Sequence, residues 1–277
     1  MITTRADIDR LFSFAREAAE TVILPHFANL DPSEIRTKAH ASDFVTVADE
    51  GAEQLIAGRV RETWGDTVAF LGEESMERDP TLIDRLPTAD RTIVVDPIDG
   101  TFNYANGIPA FAVIIAVVER GEVTGGLIYD PLRGDATCAL KGAGAWMQGG
   151  GRPERPLAVA PAAPLADMLG SVGLAYSPEP VRARLLPVMA RAASVCNYRC
   201  GGQESRLLTT GGIHFSFYYK LSPWDHAAGW LIHREAGGYS AMLDGTDYRP
   251  ELRAGGLLLA PDKASWQAIV DVYQGRA

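Results

Sequence analysis

Thr92-Ile93-Val94-Val95-Asp96-Pro97-Ile98-Asp99-Gly100-Thr101 passes from a short β-branched run into two carboxylates separated by a proline and an isoleucine. The opening residues, Thr92 to Val95, read as a strand covered on both faces, because the run lacks the alternation of a half-exposed strand. Asp96 and Asp99 then leave the sheet at its carboxyl edge, where α/β proteins place their ligands. Pro97 fixes the backbone after Asp96, and Gly100 permits a tight turn and close approach of another group. Hard oxygen ligands at this density suit Mg²⁺, and with no His or Cys cluster nearby zinc is a poorer match. Asp-Pro and Asp-Gly are also common turn formers, so this pair alone is compatible with a plain strand end.

Two further acidic groups change the balance. Gly72-Glu73-Glu74-Ser75 follows a second buried run, Thr67 to Leu71, and projects from the same edge if the two strands are neighbours. Ser222-Pro223-Trp224-Asp225-His226 carries Pro at a first helical position and an early Asp, the marks of a helix N-terminus. Asp225 there is stabilising with or without a metal. His226 reads as a surface residue or one behind the ligands, since a single His among carboxylates is atypical of a magnesium site.

Around these segments the period of the apolar residues sets the organisation. Ile8, Leu11, Ala15, Ala18, Val22 and Ile23 predict an amphipathic helix ending near Pro25, and a second helix is expected from about Asp49 to Trp64. The loop between them includes Thr37-Lys38-Ala39-His40-Ala41-Ser42-Asp43. Ala110 to Glu119, Val123 to Tyr129 and Ala136 to Leu140 read as an antiparallel meander with hairpin connections. A Gly-, Pro- and Arg-rich stretch from Gly149 to Pro164 suggests a subdomain boundary. Residues 1–150 then form an α+β part carrying most of the acidic cluster, and 151–277 an α/β part carrying Asp225, within one structural unit. In the second part, strands near 170–174, 194–198, 214–219 and 256–260 alternate with helices at 179–193, 203–210, 223–236 and 263–273.

The bulk composition is ordinary for a globular chain of 277 residues, and the formal charge of −9 offers nothing to attract a nucleic-acid backbone or an anionic membrane. An acidic protein that handles phosphate must recruit positive charge locally, and a metal ion is the obvious source. Cys138, Cys196 and Cys200 lack metal-type spacing and fit a structural role in a reducing cytosol. Neither a secretory leader nor an apolar run long enough to span a membrane is apparent, so a cytoplasmic location is expected.

Taken together, the acidic segments resemble the inositol monophosphatase family, which belongs with the fructose-1,6-bisphosphatases and 3′-phosphonucleotide phosphatases. The resemblance rests on Gly72-Glu73-Glu74-Ser75, on Asp96 to Thr101 with Asn103 following, and on Trp224-Asp225-His226-Ala227-Ala228-Gly229 with Glu235-Ala236-Gly237-Gly238 closing that helix. Upstream, Lys38 and Val45-Thr46-Val47-Ala48-Asp49 resemble the family's mobile loop and the Asp at its end. The likeness implies a five-layer α-β-α-β-α sandwich, a homodimer, possible lithium sensitivity and hydrolysis of a small phosphate monoester with two or three Mg²⁺ ions per site. By the same likeness, a first metal takes Glu73, Asp96 and the carbonyl of Ile98, and a second takes Asp96, Asp99 and Asp225. Thr101 orients the attacking water, Asp49 accepts from the Thr101 hydroxyl, and the N–H groups of Gly100 and Thr101 receive phosphate oxygens.

The pattern departs from the family where the substrate alcohol is read. Members that prefer inositol phosphates carry a Glu after a Tyr-Tyr or Tyr-Phe pair, whereas here Tyr218-Tyr219 is followed by Lys220, and the connection to Trp224-Asp225 is two residues shorter. A cation cannot accept hydrogen bonds from hydroxyls, so Lys220 either favours an anionic group or points to solvent. Cys200-Gly201-Gly202-Gln203-Glu204 also differs from the family's Gly-Ser/Thr-Ala-Ala, and Ser171 and Gly202 fall where substrate contacts are expected. Two competing readings remain: a bisphosphate phosphatase acting on a nucleotide or sugar, and a metal-binding interaction protein that keeps the fold without catalysis.

Overall fold

The computed structural model describes residues 2–38 and 44–276; the middle of the loop read at Thr37 to Asp43, residues 39–43, lies outside the described residues, as do Met1 and Ala277. In chain order the elements are α1 (Arg5–Ala18), α2 (Leu24–His26), β1 (Ile35–Thr37), β2 (Phe44–Thr46), α3 (Val47–Trp64), β3 (Ala69–Gly72), α4 (Glu73–Arg78), β4 (Thr92–Asp99) and α5 (Thr101–Ala105). The meander follows as β5 (Ala112–Glu119), β6 (Glu122–Asp130), β7 (Asp135–Leu140), β8 (Ala145–Gly149) and β9 (Arg152–Pro156). The remainder is β10 (Leu169–Val172), α6 (Glu179–Arg191), β11 (Ser194–Cys196), α7 (Gly201–Thr209), β12 (Phe215–Lys220), α8 (Pro223–Glu235), β13 (Tyr239–Met242), β14 (Ala254–Ala260) and α9 (Lys263–Tyr273).

Among the described residues the strands form a seven-stranded sheet in the order β3-β4-β5-β6-β7-β8-β9, a five-stranded sheet in the order β11-β10-β12-β14-β13, and the antiparallel pair β1-β2. Successive side chains of a strand point to opposite faces, and here each face has its own core. Ile93, Val95, Val113, Ile115 and Val117 pack with Ile8, Leu11, Ile56 and Val60 of α1 and α3. Their strand neighbours Val94, Ile114, Ala116 and Val118 instead meet Leu208 of α7 and Ala227, Ala228, Leu231 and Ile232 of α8, together with Leu257 and Leu259 of β14. Leu258, Phe215 and Phe217 turn the other way, onto Leu185 and Val188 of α6 and Trp266 and Ile269 of α9. The result is the α-β-α-β-α stack. Because α7 and α8 are covered by sheets on both sides, they have little exposed polar face, and each buried aliphatic side chain there contributes roughly 1.5–3 kcal/mol.

The structure refines one sequence expectation and corrects two. The first helix ends at His26, close to the expected Pro25, but it is not uniform: α1 widens into a π turn at Ala19–Ile23 and runs on into α2, so Pro25, which has no N–H to give, sits just past the widened turn. The Gly- and Pro-rich stretch after Gly149 is not all connection, since Arg152–Pro156 pairs with β8. It is an exposed edge strand, a position that tolerates Pro153 and Pro156. Finally, β4 does not end at Val95. The ladder continues to Asp99, with Asp96 opposite Ile114 and Asp99 opposite Ala112, so three steps on one strand match two on the other. This is a bulge, and Pro97, which has no N–H to give to a ladder, sits within it. The short strand Tyr239–Met242, not read from the sequence, closes the second sheet.

Candidate active site

The bulge sets the first pair of carboxylates. Within it the N–H of Ile98 turns back to donate to Asp96 Oδ1 at 3.0 Å, which fixes the Asp96 side chain over its own strand. On the neighbouring strand β3, parallel to β4, Gly72 lies opposite Val95, so Glu73 and Asp96 leave the same sheet edge side by side. Asp225, the third residue of α8, enters from the layer below. Asp96, Asp99 and Asp225 each present an oxygen within 4.8 Å of the others.

Three ionised carboxylates at that spacing repel one another by on the order of 3 kcal/mol per pair at an effective dielectric near 20. Burial, with Glu73, Asp99 and Asp225 adding their charge, holds the Asp96 carboxyl well above the usual range. Burial and Asp225 push Asp99 up, opposed by hydrogen bonds from Cys200 and Gly202. Glu73 is raised by burial too, with Lys38 opposing. A group whose candidate ligands are carboxylates fits a hard divalent cation such as Mg²⁺ better than zinc.

Asp99 is held from the second half of the chain. Its Oδ2 accepts from Gly202 N at 2.5 Å and from Cys200 Sγ at 3.0 Å, both at the start of α7. A side chain at Gly202 would stand 2.9 Å from Ala112 Cβ and 3.1 Å from that same oxygen, so the approach needs glycine. Gly100 is constrained differently: its φ of +87° is left-handed, and a Cβ there would meet the Ala110 carbonyl at 2.8 Å.

Asp49 is fully buried at the first turn of α3. One carboxylate oxygen, Oδ2, accepts from Thr46 N at 2.8 Å and Thr46 Oγ1 at 2.6 Å, closing a capping box. The other, Oδ1, is left for the Thr101 hydroxyl at 3.3 Å. That hydroxyl also lies 3.0 Å from the Ile98 carbonyl, so its single proton is shared between two acceptors. Burial lifts the Asp49 carboxyl to about 6, with the Thr46 hydrogen bonds pulling the other way.

Lys38 donates to Glu73 at 3.1 Å and to Glu74 at 2.7 Å, and lies 3.4 Å from Glu77. Burial alone would lower its ammonium, but Glu73 and Glu74 more than reverse that and push it up. Of the other residues singled out in the sequence, Lys220 is exposed on the wall of a cleft of about 740 Å³ that also takes in Glu73, Asp96, Asp99, Gly100, Thr101 and Asp225. Ser171 is not brought to that wall: it is fully buried in β10, opposite Ser216 of β12. His226 is buried rather than on the surface, its Nδ1 3.0 Å from the Ser222 carbonyl and its ring edge-on to Tyr218.

Four contributors escaped the sequence reading. Glu53, buried on α3, accepts from Glu74 N at 2.8 Å and so anchors the turn that presents Glu73. Its spacing of four from Asp49 puts two acids on one buried helix face, a signal the sequence does contain. Cys200, read as structural, contacts a carboxylate of the cluster. Arg199 and Glu204 line the cleft, yet nothing in their local pattern distinguishes them from surface charges. Glu204 is almost wholly buried and accepts from Tyr198 N at 2.8 Å.

The layered fold and its cleft define an α/β protein with a carboxylate cluster at a sheet edge. The family model described as the inositol monophosphatase family matches residues 7–273, and the chain belongs to that family. It is a phosphoric monoester hydrolase. Over 240 residues it is 32% identical to the "Nus factor SuhB" of Xylella fastidiosa, covering 84% of this chain and 81% of that protein. To the "Inositol-1-monophosphatase" of Rhizobium meliloti it is 31% identical over 211 residues, 74% of each chain. Among solved structures, the Thermotoga maritima IMPase superposes with a TM-score of 0.81 at 24% identity over 97% of both chains, a likeness of fold. No helix among the described residues is long and apolar enough to cross a membrane.

Proposed function

We propose that this hydrolase is a Mg²⁺-dependent phosphatase of small phosphate monoesters, sugar, polyol or amino-alcohol phosphates, acting by direct attack of water. The observation that carries the reading is the Thr101 hydroxyl, poised between Asp49 Oδ1 and the Ile98 carbonyl beside the carboxylate cluster. Glu73, Asp96 and the Ile98 carbonyl would hold one cation, and Asp96, Asp99 and Asp225 a second, with a third ion open to the site. When bound, Mg²⁺ neutralises the phosphate and lowers the pKa of the attacking water.

The residues then divide the work. A threonine hydroxyl that donates to Asp49 keeps its lone pairs free to accept from water and so orients the nucleophile. A cation on the Ile98 carbonyl would occupy the competing acceptor and commit that proton to Asp49. The backbone N–H groups of Gly100 and Thr101 receive phosphate oxygens at the start of α5, as the family resemblance implies. Water adds to phosphorus as the P–O ester bond opposite it breaks, and the departing alkoxide takes up a proton from solvent. Lys38, which already holds Glu73 and Glu74, contributes positive charge on the phosphate side, while Ser171 and Gly202 support the walls behind the substrate.

The division at residue 150, a homodimeric assembly, a cytoplasmic location and sensitivity to lithium belong to the same reading. Completeness favours catalysis over a purely interacting role: Asp49, Glu73, Asp96, Asp99, Thr101 and Asp225 are all present. The test is phosphate release across a panel of inositol, sugar, polyol and amino-alcohol monophosphates, with Mg²⁺ and after exhaustive chelation. Turnover with Mg²⁺ that vanishes on chelation is the expected result; full activity in chelator, or none on any ester, refutes the reading.

A further inference from the structure

We infer that the alcohol side of the cleft selects substrates carrying a second anionic group, a carboxylate or a further phosphate, which Lys220 and Arg199 bind together. The inference rests on the phosphatase reading for the position of the first phosphate. Both cations line the same cleft as Thr101 and the acidic cluster, yet they come from different parts of the chain, Lys220 from the end of β12 and Arg199 from the loop before α7.

Each is aimed by a local irregularity. The register of β12 against β14 shifts between Tyr218 and Lys220, a bulge that re-aims the strand's last side chain. Arg199 has a φ of +53°, left-handed for a residue with a Cβ, a conformation that costs on the order of 1 kcal/mol. Its N–H donates to Asn197 Oδ1 at 3.0 Å, and its guanidinium lies 3.9 Å from the centre of the Phe102 ring. Phe102 directly follows Thr101 and also stacks against Phe44, 5.7 Å between centroids and 11° from parallel. The guanidinium is thus tethered to the segment that reads the first phosphate.

Lys220 lies 5.9 Å from the Tyr176 ring, at the outer range of a cation–π contact, so the ring steers the ammonium without using its hydrogen-bond donors. Among the described residues no carboxylate lies within ion-pair distance of that ammonium. An exposed lysine by itself is an ordinary solvated group; a second cation held in left-handed backbone on the same cleft is not. The carboxylate that would accept from inositol hydroxyls is replaced by Lys220, which has only donors to offer.

Matched pairs of esters test this: glycerol 1-phosphate against 3-phosphoglycerate, which differ by a carboxylate, and fructose 6-phosphate against fructose 1,6-bisphosphate. The expected preference is for the doubly anionic member of each pair, by about tenfold or more in kcat/KM, the scale of one charge-assisted hydrogen bond. Lys220→Gln and Arg199→Gln should each reduce that ratio, Lys220→Glu should invert it, and Lys220→Arg should restore it. Which pair shows the larger ratio distinguishes a carboxylate from a second phosphate. Calorimetric titration with the same compounds reads the preference whether or not phosphate is released. Equal affinity within each pair, or a ratio indifferent to the substitutions, overturns the inference; absence of turnover on every ester overturns the phosphatase reading instead.

Discussion

The wall of the cleft built from β3, β4 and α5 buries its polar groups and ties nearly every one to a neighbour, whereas on the wall carrying Tyr176, Arg199 and Lys220 the lysine is exposed and the arginine half-buried. On the first wall Asp96 is fixed by the Ile98 N–H, Asp99 by Gly202 and Cys200, and Asp49 by its capping box. On the second, the side chains are held by ring contacts and loop geometry. A buried network tolerates little change, because one lost partner leaves a charge uncompensated. A surface wall can exchange residues at small cost to stability. On the proposed reading chemistry belongs to the buried wall and choice of alcohol to the open one, and substitutions on the two sides should fail in different ways.

The sharpest contrast is expected at Asp99. Asp99→Asn removes a charge from the cluster while keeping the shape, and should lower kcat by about a thousandfold or more, the scale of a lost electrostatic contribution at a reacting centre. It should also shrink the rise in melting temperature that Mg²⁺ produces, since one of the two proposed cation sites loses a ligand. Phosphate release equal to the unmodified protein would show that the cluster does not hold the working metal. Next in size is Thr101→Ala, which deletes the hydroxyl beside Asp49 but no proposed metal ligand side chain. The expected loss in kcat is about 10²–10⁴-fold, typical of a group that positions a proton transfer. Its Mg²⁺-induced thermal shift should survive, and that retained shift separates it from Asp99→Asn.

The same division explains what could be read from the chain. The acidic wall was legible because its residues sit in contiguous strings: Asp96 to Thr101, Glu73 beside Glu74, Asp225 after a helix-opening proline. The five layers followed from the family likeness, and the alternation of Ile93, Val95 against Val94 carries them physically, each face meeting a different helix layer. The continuation of β4 through Pro97 was not legible, since a proline normally marks a strand end and only pairing with β5 keeps this one going. Edge strand Arg152–Pro156 was hidden by its own composition. Cys200 and Arg199 act across the fold, 101 residues from Asp99 in the first case and against Phe102 in the second, and no local period reports such contacts.

A third prediction probes the charge of the buried wall. Without metal, burial holds Asp96, Asp99 and Glu73 above the ordinary carboxylate range. Between the unfolded and folded pKa values the native state keeps a proton that the unfolded chain has lost. These groups therefore stabilise the metal-free protein at low pH, and that stability falls as pH rises from about 4 through the raised pKa values. Mg²⁺ requires the deprotonated form, so its affinity runs in the opposite direction, increasing with pH. At fixed, roughly millimolar Mg²⁺ the rise in melting temperature should be larger at about pH 8 than at about pH 5.5. An increment that is flat or reversed with pH would mean that the carboxylates are not the ligands.

The smallest effect is expected at Cys200, where the two walls meet. Its thiol reaches Asp99 Oδ2 at 3.0 Å beside the Gly202 N–H, yet the residue belongs to the segment that continues from Arg199 into α7. Cys200→Val deletes the donor to Asp99 together with the sulfur that accepts from Gln203 N, which should raise the Mg²⁺ concentration for half-activation by about tenfold, as loss of a partner behind a ligand does. With saturating Mg²⁺, kcat should stay within a few-fold. Cys200→Ser retains a donor at the same position and should recover most of the affinity. If both variants lose kcat rather than Mg²⁺ affinity, Cys200 serves to place Arg199 and the alcohol side instead, and the boundary between the two walls has to be redrawn on the far side of α7.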